Sequence, residues 1–565
     1  MCRADVTEVW VPATVQAAIG ARIDRLGEAA KRTIHAAAVV GRIFQPDLLT
    51  ALGVQPAVDE LVQVELIDQV GYTPVVEYAF RHPLIQAVAY ESQLRSDRAV
   101  WHRRLAEAIE QGAPGSVEEN ATLIAEHRHA AGDFDIAYAW HMRAAAWSAK
   151  RDVAAARSSW ERARNIADEL ADDKQNVLDM RIAPRTMLCA TSFHALTMAE
   201  NLGRFIELRE LCAAAGDRVS LAIGMTGQVT EYLYAARVRQ AAMLASEHLE
   251  LLESIGDANL TVGLSFPAFA TWFSQAQMVA ISRWSQRVID LAEGDAALGG
   301  GFGLASPLAA ALAFRGIARW WQGQPGWRED LRGAVAMAQQ VDAATLGYVL
   351  AWTYSVEILY GVVRADEFAL RASQAAVTAA EHTGNDNAVM VCSYGLGVVL
   401  LYQQDPMDRR RGLELVEKAL AVARVRVPSL VAITTLVSAR ERAASGECDA
   451  AIAAMRDAVD ELYAGARWGW LVAGIAILVE TLLDRGSDSD LAEADAAIGK
   501  LGIFRRESDS VIVDITARRL GAMLARARGD EDAPKLANEY LAMAQSLGFE
   551  GHIGWASAMT DADTR

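Results

Sequence analysis

A basic cluster lies near the end of the first hundred residues. Its four arginines, Arg95, Arg98, Arg103 and Arg104, surround Trp101. Guanidinium groups beside an aromatic ring can bind the phosphates and bases of DNA. Carboxylates interrupt the cluster, however, and the preferred interpretation is a solvated helix face or a surface that docks on another domain. Sequence-independent nucleic-acid binding by the whole chain is disfavoured, because the formal net charge of −18 would repel phosphates.

The patterns that usually identify an enzyme or a metal site are missing or incomplete. His127 and His129 are two residues apart on a predicted helix, so they point in different directions and cannot chelate one metal together. Ser265 lacks the second glycine of a nucleophile elbow, and the glycine run at 299–303 lacks the order of a phosphate cradle. Leucine follows the Gly-Lys pair at 499–500, so that pair forms no phosphate loop. We therefore expect a chain without catalysis, cofactor or metal.

Glycine turns divide most of the chain into units of about 41 residues, an interval typical of stacked helical hairpins. One set of turns begins at Gly216, Gly256, Gly294 and Gly384, and a second set falls midway between them. The pattern predicts two helices in each unit. Small residues seven positions apart in the second helices would let a neighbouring helix approach closely. These residues are Ala369, Ala376, Gly412, Ala419, Ala451 and Ala458.

Two of these units carry a family resemblance. Residues 446–452 resemble the start of the second helix of a tetratricopeptide repeat, and residues 132–137 do so as well. The resemblance implies an all-α, tetratricopeptide-like solenoid, which we expect to span residues 116–565 and to contain about ten hairpins. The other units are degenerate and a little longer than the family's standard unit.

Tryptophans are concentrated in the predicted solenoid. They could line its concave groove and bind a protein or small-molecule effector, since aromatic residues dominate the energetics of interfaces. Packing between helices is the alternative, and it is the preferred interpretation for most of them. The candidates are Trp320, Trp321, Trp352, Trp468 and Trp470.

The segment 1–112 follows a different pattern. A helix is predicted to start at Pro12, and three or four short helices precede two β-prone runs at 66–70 and 75–80. The turn cluster at 71–74 joins these runs as a hairpin. Short helices followed by such a hairpin predict a winged helix, with a domain boundary near residues 112–115.

An ordered series of short motifs in this segment resembles the winged-helix part of bacterial signal-transduction ATPases with numerous domains. The motifs occupy residues 11–16, 21–26, 36–42, 80–86 and 90–91. The resemblance is closest to the branch that couples the ATPase to a class III nucleotide cyclase or to a LuxR-type DNA-binding domain. It implies that the nucleotide-binding domain of relatives precedes the position of Val11, and that this chain starts just after that place.

The same resemblance gives His82 a role. In that family a winged-helix histidine is thought to contact bound ADP, and His82, which follows Arg81, occupies its place. This implies nucleotide sensing where a nucleotide-binding domain is supplied, in cis or in trans. Local capping or packing beside Pro83 is the alternative within this chain.

These observations predict an all-α protein in the cytoplasm. No secretory signal is expected from the charged first residues, and the apolar stretches fall short of the roughly 20 residues that a bilayer requires. The predicted function is that of a non-catalytic regulatory or sensor region, which binds an effector and controls a nucleotide-binding domain and an output domain. The alternatives are a stand-alone tetratricopeptide scaffold and a winged-helix regulator that binds DNA.

Overall fold

A computed structural model describes residues 13–72, 75–112, 114–149, 151–172, 176–192, 198–382, 386–507 and 510–563. Contacts divide the chain into two compact units, Met1–His194 and Ala195–Arg565. Helices dominate both units, and a single small sheet occurs among the described residues. The predicted fold class, an all-α tetratricopeptide-like solenoid, is thereby confirmed. The expected boundary near residues 112–115 stays a prediction.

Unit 1 opens with six helices and three short strands. The helices are α1 (Ala13–Asp24), α2 (Glu28–Val40), α3 (Pro46–Ala51), α4 (Val58–Gln63), α5 (Pro83–Glu91) and α6 (Arg95–Glu110). The strands are β1 (Ile43–Phe44), β2 (Ile67–Gly71) and β3 (Glu77–Phe80).

The strands form an antiparallel sheet in the order β1-β3-β2, with Ile67 opposite Phe80 and Ile43 opposite Ala79. The two predicted β-prone runs are therefore paired, whereas β1 was missed because a two-residue strand has no readable alternation. Pro12 and residues 73–74, where the first helix start and part of the hairpin turn were predicted, lie outside the described residues. Helices and sheet share one apolar core around Ile34, Phe44 and Leu105.

The rest of unit 1 consists of helices that pack consecutively. They are α7 (Pro114–Glu119), α8 (Ala121–Ala130), α9 (Phe134–Ser148), α10 (Val153–Glu169) and α11 (Val177–Ala190). Helix α8 packs on α6, α9 packs on α8, and α10 packs on α9.

Unit 2 is built from hairpins whose first and second helices form separate layers. The inner helices are α13 (Arg218–Tyr234), α15 (Ala258–Leu264), α16 (Phe266–Ser274), α18 (Pro307–Trp321), α20 (Ala343–Leu350), α21 (Val356–Leu359), α23 (Asp386–Leu401), α25 (Val431–Ala444), α27 (Trp468–Arg485), α29 (Val511–Arg528) and α31 (Glu550–Asp563). The outer helices are α12 (Met198–Ala215), α14 (Val238–Ile255), α17 (Met278–Ala292), α19 (Trp327–Ala338), α22 (Glu367–Glu381), α24 (Pro406–Arg426), α26 (Cys448–Ala464), α28 (Asp488–Glu507) and α30 (Ala533–Leu547).

Sequence composition explains the two layers. In α27, 13 of the 18 residues are buried, whereas α26 buries only six of its 17. A helix that is apolar on all sides must be surrounded by protein, while an amphipathic helix can keep one face in water. The predicted turn glycines Gly216, Gly256 and Gly294 all have positive φ values, of 70°, 78° and 86°. The predicted turn at Gly384 lies outside the described residues.

Inner helices also contact hairpins much further along the chain. Helix α13 contacts the 3-10 turn Pro428–Leu430 that precedes α25, α16 contacts α27, and α18 contacts α29. Gly361, just after α21, accepts a 2.9 Å hydrogen bond from the backbone N–H of His552 in α31. Each of these contacts joins hairpins that are five positions apart. Unit 2 is thus a tight superhelix with five hairpins per turn, and we call the contact surface between successive turns the seam.

Glycines permit the closest approaches at the seam. A Cβ atom on Gly469 would overlap the carbonyl oxygen of Phe273, and one on Gly551 would lie 2.8 Å from the Cα of Gly361. The backbones of two turns therefore touch directly, without intervening side chains.

Gly469→Ala should destabilise the protein, because the added methyl group has no space against the backbone of Phe273. We expect a loss of about 1–3 kcal/mol, typical of overpacking. Gly521→Ala in α29 is the matched control, since a Cβ there meets nothing within 4 Å and should stabilise the helix by about 0.5–1 kcal/mol. Urea unfolding followed by circular dichroism measures both, and equal midpoints for the two variants would contradict a tight seam.

Candidate functional site

His82 occupies the junction between β3 and α5. It is the N-cap residue of α5, where its Nδ1 accepts a 3.2 Å hydrogen bond from the backbone N–H of Leu84. The neighbouring Arg81 forms ion pairs of 2.8 Å with Glu65 and 3.3 Å with Asp68. Both His82 and Arg81 are exposed to solvent. The capping bond fixes the imidazole at the protein surface, as the local alternative predicted, and leaves it accessible.

The structure separates the four arginines of the basic cluster into different environments on α6. Arg103 donates two hydrogen bonds, of 2.6 and 2.9 Å, to the Asp133 carboxylate, and Arg104 donates to the carbonyl of Leu52. The guanidinium of Arg98 lies 4.7 Å from the ring centre of Tyr90. Arg95 is exposed. Arg103 and Arg104 are therefore engaged in intramolecular contacts, which reduces the basic surface available to DNA.

Two histidines that are far apart in the sequence, His102 of α6 and His127 of α8, are in contact. His102 Nδ1 lies 2.9 Å from His127 Nδ1, and His102 Nε2 lies 2.9 Å from the hydroxyl of Tyr90. Burial lowers the pKa of His102 to about 4, with further contributions from His127 and Arg98, and burial also lowers the pKa of His127. Burial thus favours the neutral form of both rings, and the Nδ1–H of one ring donates a hydrogen bond to the Nδ1 of the other. Their separation of 25 residues gives no sequence signal for this contact.

In unit 2 the tryptophans lie mainly in the interior. Trp320, Trp321 and Trp470 are buried, with at most 5% of their surface exposed. Trp321 and Trp470 pack on Phe273, whose ring centre lies 4.9 Å from that of Trp470 and 5.2 Å from that of Trp352, and Trp320 packs on Trp321. These side chains form a buried aromatic cluster among the inner helices.

Trp352 and Trp468 differ from the other three in being partly exposed. Trp468 stacks on Phe504 with an angle of 9° between the rings. Trp352 lies in a π-helical turn, Ala351–Ser355, which interrupts the inner helix between α20 and α21. Turns of this kind widen a helix locally and often occur at functional sites.

A buried carboxyl group follows the π-helical turn. Glu357 is 1% exposed, and its Oε1 atom has no hydrogen-bond partner. Burial raises the pKa of the Glu357 carboxyl well above its usual range, and this effect outweighs the opposing influences of Trp320 and Arg328. Arg328 in turn donates to the backbone carbonyl of Gly548, across the seam. Burial therefore favours the protonated form of Glu357, which lies close to a contact between two superhelical turns.

The seam carries further buried polar groups. The hydroxyl of Tyr360 donates to the carbonyl of Gly469, and the hydroxyl of Tyr540 lies 2.7 Å from His552 Nδ1. Burial lowers the pKa of His552 well below its usual range, and Arg519 adds to the shift. Burial favours the neutral forms of both His552 and Glu357, so the stability of unit 2 should fall on the acidic side through His552 and on the alkaline side through Glu357.

The motifs that resembled catalytic sites have structural roles. Ser265 is buried, and its hydroxyl donates to the carbonyl of Thr261. Gly299 lies against the backbone of Gly263, with no room for a Cβ atom at either residue. Across the described ranges, no group of three or more His, Cys, Asp or Glu side chains could hold a metal ion. No described helix is both long and apolar enough to span a bilayer.

The fold defines a helical-repeat protein of the tetratricopeptide-like class. No protein-family model matches the chain, and no curated protein matches it either. Among solved structures it is similar to a signal-transduction ATPase with numerous domains and a tetratricopeptide repeat sensor from Pyrococcus horikoshii. The identity is 10%, the TM-score is 0.30, and the alignment covers 98% of this chain and 66% of that protein.

A circular tandem repeat protein is also similar, at 13% identity and a TM-score of 0.11, covering 95% of this chain and 96% of that one. The chain spans 66% of the length of the Pyrococcus protein. Identities this low transfer no site residue to this chain.

His102→Gln should weaken the pH dependence of stability. The unfolded chain binds a proton near pH 6.5, while folded His102 does so only near pH 4. The stability of the wild type therefore falls as the pH drops through this range, by about 2 kcal/mol between neutral pH and pH 5 for this one group. Over the same pH range the free energy of unfolding of the variant should fall by about 2 kcal/mol less than that of the wild type. His129→Gln, which changes an exposed position on α8, should behave like the wild type. Urea unfolding at several pH values measures the three proteins, and an equal loss of stability in all of them would show that His102 is not the cause.

Glu357→Gln should stabilise the protein at alkaline pH. The proton on Glu357 contributes fully below about pH 4.5, and that contribution is lost as the pH rises through the raised pKa. Glutamine keeps the neutral form at every pH, so the variant should exceed the wild type by more than about 1 kcal/mol near pH 8 and match it near pH 4. The exposed Glu329→Gln serves as control. An unfolding midpoint that is lower for Glu357→Gln at pH 8 would show that the carboxylate is ionised and needed.

Proposed function

We propose that this chain is the regulatory and sensor region of a cytoplasmic signal-transduction ATPase with numerous domains. In this proposal residues 1–112 form a winged-helix module, and residues 116–565 form a solenoid that binds a protein or small-molecule effector. The observation that carries the proposal is the presence in one chain of a helix–hairpin module, with an exposed and fixed His82, and a superhelix of stacked hairpins. The family resemblance of residues 11–91 supplies the link to an ATPase.

The winged-helix module would act on a nucleotide-binding domain, in cis in relatives or in trans. His82 is held by its bond to Leu84, so its imidazole is positioned before any partner arrives. A preorganised donor at a helix start suits a phosphate group. Contact with ADP would favour the closed, inactive state of the nucleotide-binding domain.

The solenoid would sense its effector through the seam. A ligand shifts a conformational equilibrium only by the difference between its affinities for the two states. The buried polar groups of Glu357 and His552 reduce the stability of the closed superhelix. A smaller difference between the effector's affinities for the two states is then enough to open the seam than if the seam were apolar. Coupling of that change to the output domain, a cyclase or a transcription factor, would complete the signal.

Two other functions compete with this proposal. A stand-alone scaffold would use the same outer helices to bind proteins but would have no link to nucleotides. A DNA-binding regulator would need the basic cluster on α6, and the intramolecular contacts of Arg103 and Arg104 argue against it.

The test uses a purified nucleotide-binding domain of this ATPase class, loaded with fluorescent ADP. Adding the full chain should slow the release of ADP by about fivefold or more, a change of roughly 1 kcal/mol. His82→Ala should abolish the effect, because the contact to the nucleotide is lost. His129→Ala, an exposed histidine on α8, should retain it. Identical release rates with and without the chain would rule out the regulatory role and leave the scaffold alternative.

A further inference from the structure

Outer helices of unit 2 are joined to their neighbours by ion pairs. Arg209 of α12 pairs with Glu247 of α14 at 3.0 Å. Arg456 and Asp460 of α26 pair with Glu493 and Lys500 of α28, at 2.6 and 3.3 Å. Such pairs satisfy exposed charges within the outer layer.

Helix α24 departs from this arrangement. It carries six cations and three carboxylates, whereas its outer neighbours α22 and α26 both carry more carboxylates than cations. Arg409 pairs with Glu441 of α25 at 2.6 Å. Five exposed cations of α24 form no ion pair among the described residues. They are Arg410, Arg411, Lys418, Arg424 and Arg426.

The helix dipole explains only part of this charge. Arg424 and Arg426 lie in the last turn of α24, where cations are stabilised by the negative end of the dipole. Arg411 and Lys418 lie in the first half and the middle of the helix, where that effect has faded. Neither of them forms an ion pair with a neighbouring outer helix among the described residues.

Exposed apolar residues accompany these two cations. Val425 is 81% exposed and Met407 is 67% exposed, while Val422 is 38% exposed. Intervals of three, four and seven residues place all three on the same helix face as Arg411 and Lys418. We call this set the α24 stripe: Met407, Arg411, Lys418, Val422 and Val425. It extends over roughly 27 Å at 1.5 Å per residue.

We propose that the α24 stripe is the docking site for an acidic amphipathic helix of a protein partner. This deepens the proposed function, on which it rests, by naming a surface and the chemistry of its occupant. Arg411 and Lys418 are seven residues apart, so their charges match two carboxylates separated by two turns of a partner helix, about 10 Å apart. Apolar residues of the partner would cover Met407 at one end, and Val422 and Val425 at the other.

A protein helix fits these features better than an anionic bilayer does. Glu414 lies on the same face between Arg411 and Lys418, and an acidic surface would repel its carboxylate. A helical partner can place a cation opposite Glu414, which adds to the specificity of pairing. The apolar contacts lie at the two ends of the stripe rather than along one continuous face, which is a poor arrangement for insertion among acyl chains.

The experiment measures binding of the full chain to a fluorescein-labelled synthetic helix by fluorescence anisotropy. The peptide carries glutamates facing Arg411 and Lys418 and leucines facing Met407 and Val425, and a scrambled peptide of the same composition serves as reference. The double variant Arg411→Glu/Lys418→Glu should weaken binding by about tenfold or more. Higher salt should weaken wild-type binding as well, since the charges are exposed.

The matched control is Arg283→Glu/Arg371→Glu, which makes the same change in charge on α17 and α22. Both control arginines are highly exposed, at 71% and 70% of their side-chain surface. The control should bind the peptide within about twofold of the wild type. Circular dichroism verifies that both double variants remain folded, as expected for exposed positions.

Several outcomes would overturn the proposal. Equal loss of binding in both double variants would indicate long-range charge rather than a site. The proposal would also fail if the scrambled peptide bound as tightly as the designed peptide, or if the designed peptide did not bind. Stronger binding to phosphatidylserine vesicles than to the peptide would identify a membrane surface instead. The ADP-release assay depends on His82, and the peptide-binding experiment leaves His82 unchanged. The docking site and the regulatory role can therefore fail independently.

Discussion

Direct contact between successive superhelical turns is the constraint on which the rest of unit 2 depends. Phe273 and Gly469 touch through backbone atoms, and Gly361 and Gly551 do the same two hairpins further along the seam. Side chains larger than glycine would hold the turns apart and leave space along the axis. Because the turns close, an inner helix such as α27 is buried on nearly all sides, and the aromatic residues around Phe273 become core residues. Outer helices such as α26 retain a solvent-exposed face.

This division limits where the repeats can bind a partner. A solenoid with an open concave groove offers its inner helices to ligands. Here the inner helices are covered by the next turn of the same chain, so binding to the closed form must use the outer layer. Within that layer several exposed charges pair with a neighbouring outer helix, whereas α24 carries five exposed cations that form no ion pair among the described residues.

The sequence was sufficient to predict the hairpins but not their superhelical arrangement. Turn glycines such as Gly216 and Gly256 have local conformational requirements, so their spacing reports the repeat directly. The contact between Phe273 and Gly469 depends on small rotations that accumulate over five hairpins, and no short motif encodes them. The tryptophans were ambiguous for a physical reason, since a filled axis and a binding groove both require aromatic side chains. The pair His102 and His127 was missed because helix packing, rather than sequence spacing, brings the two rings together.

The seam also changes how the repeat array responds to unfolding and to evolution. In a solenoid whose units touch only their neighbours, cooperativity decays along the chain and repeats can be gained or lost at little cost. When hairpins five positions apart are in contact, loss of the last helix exposes the middle of the array, so the array is expected to melt as one unit. Inserting or deleting a single hairpin would put every later contact out of register, which favours a fixed number of repeats.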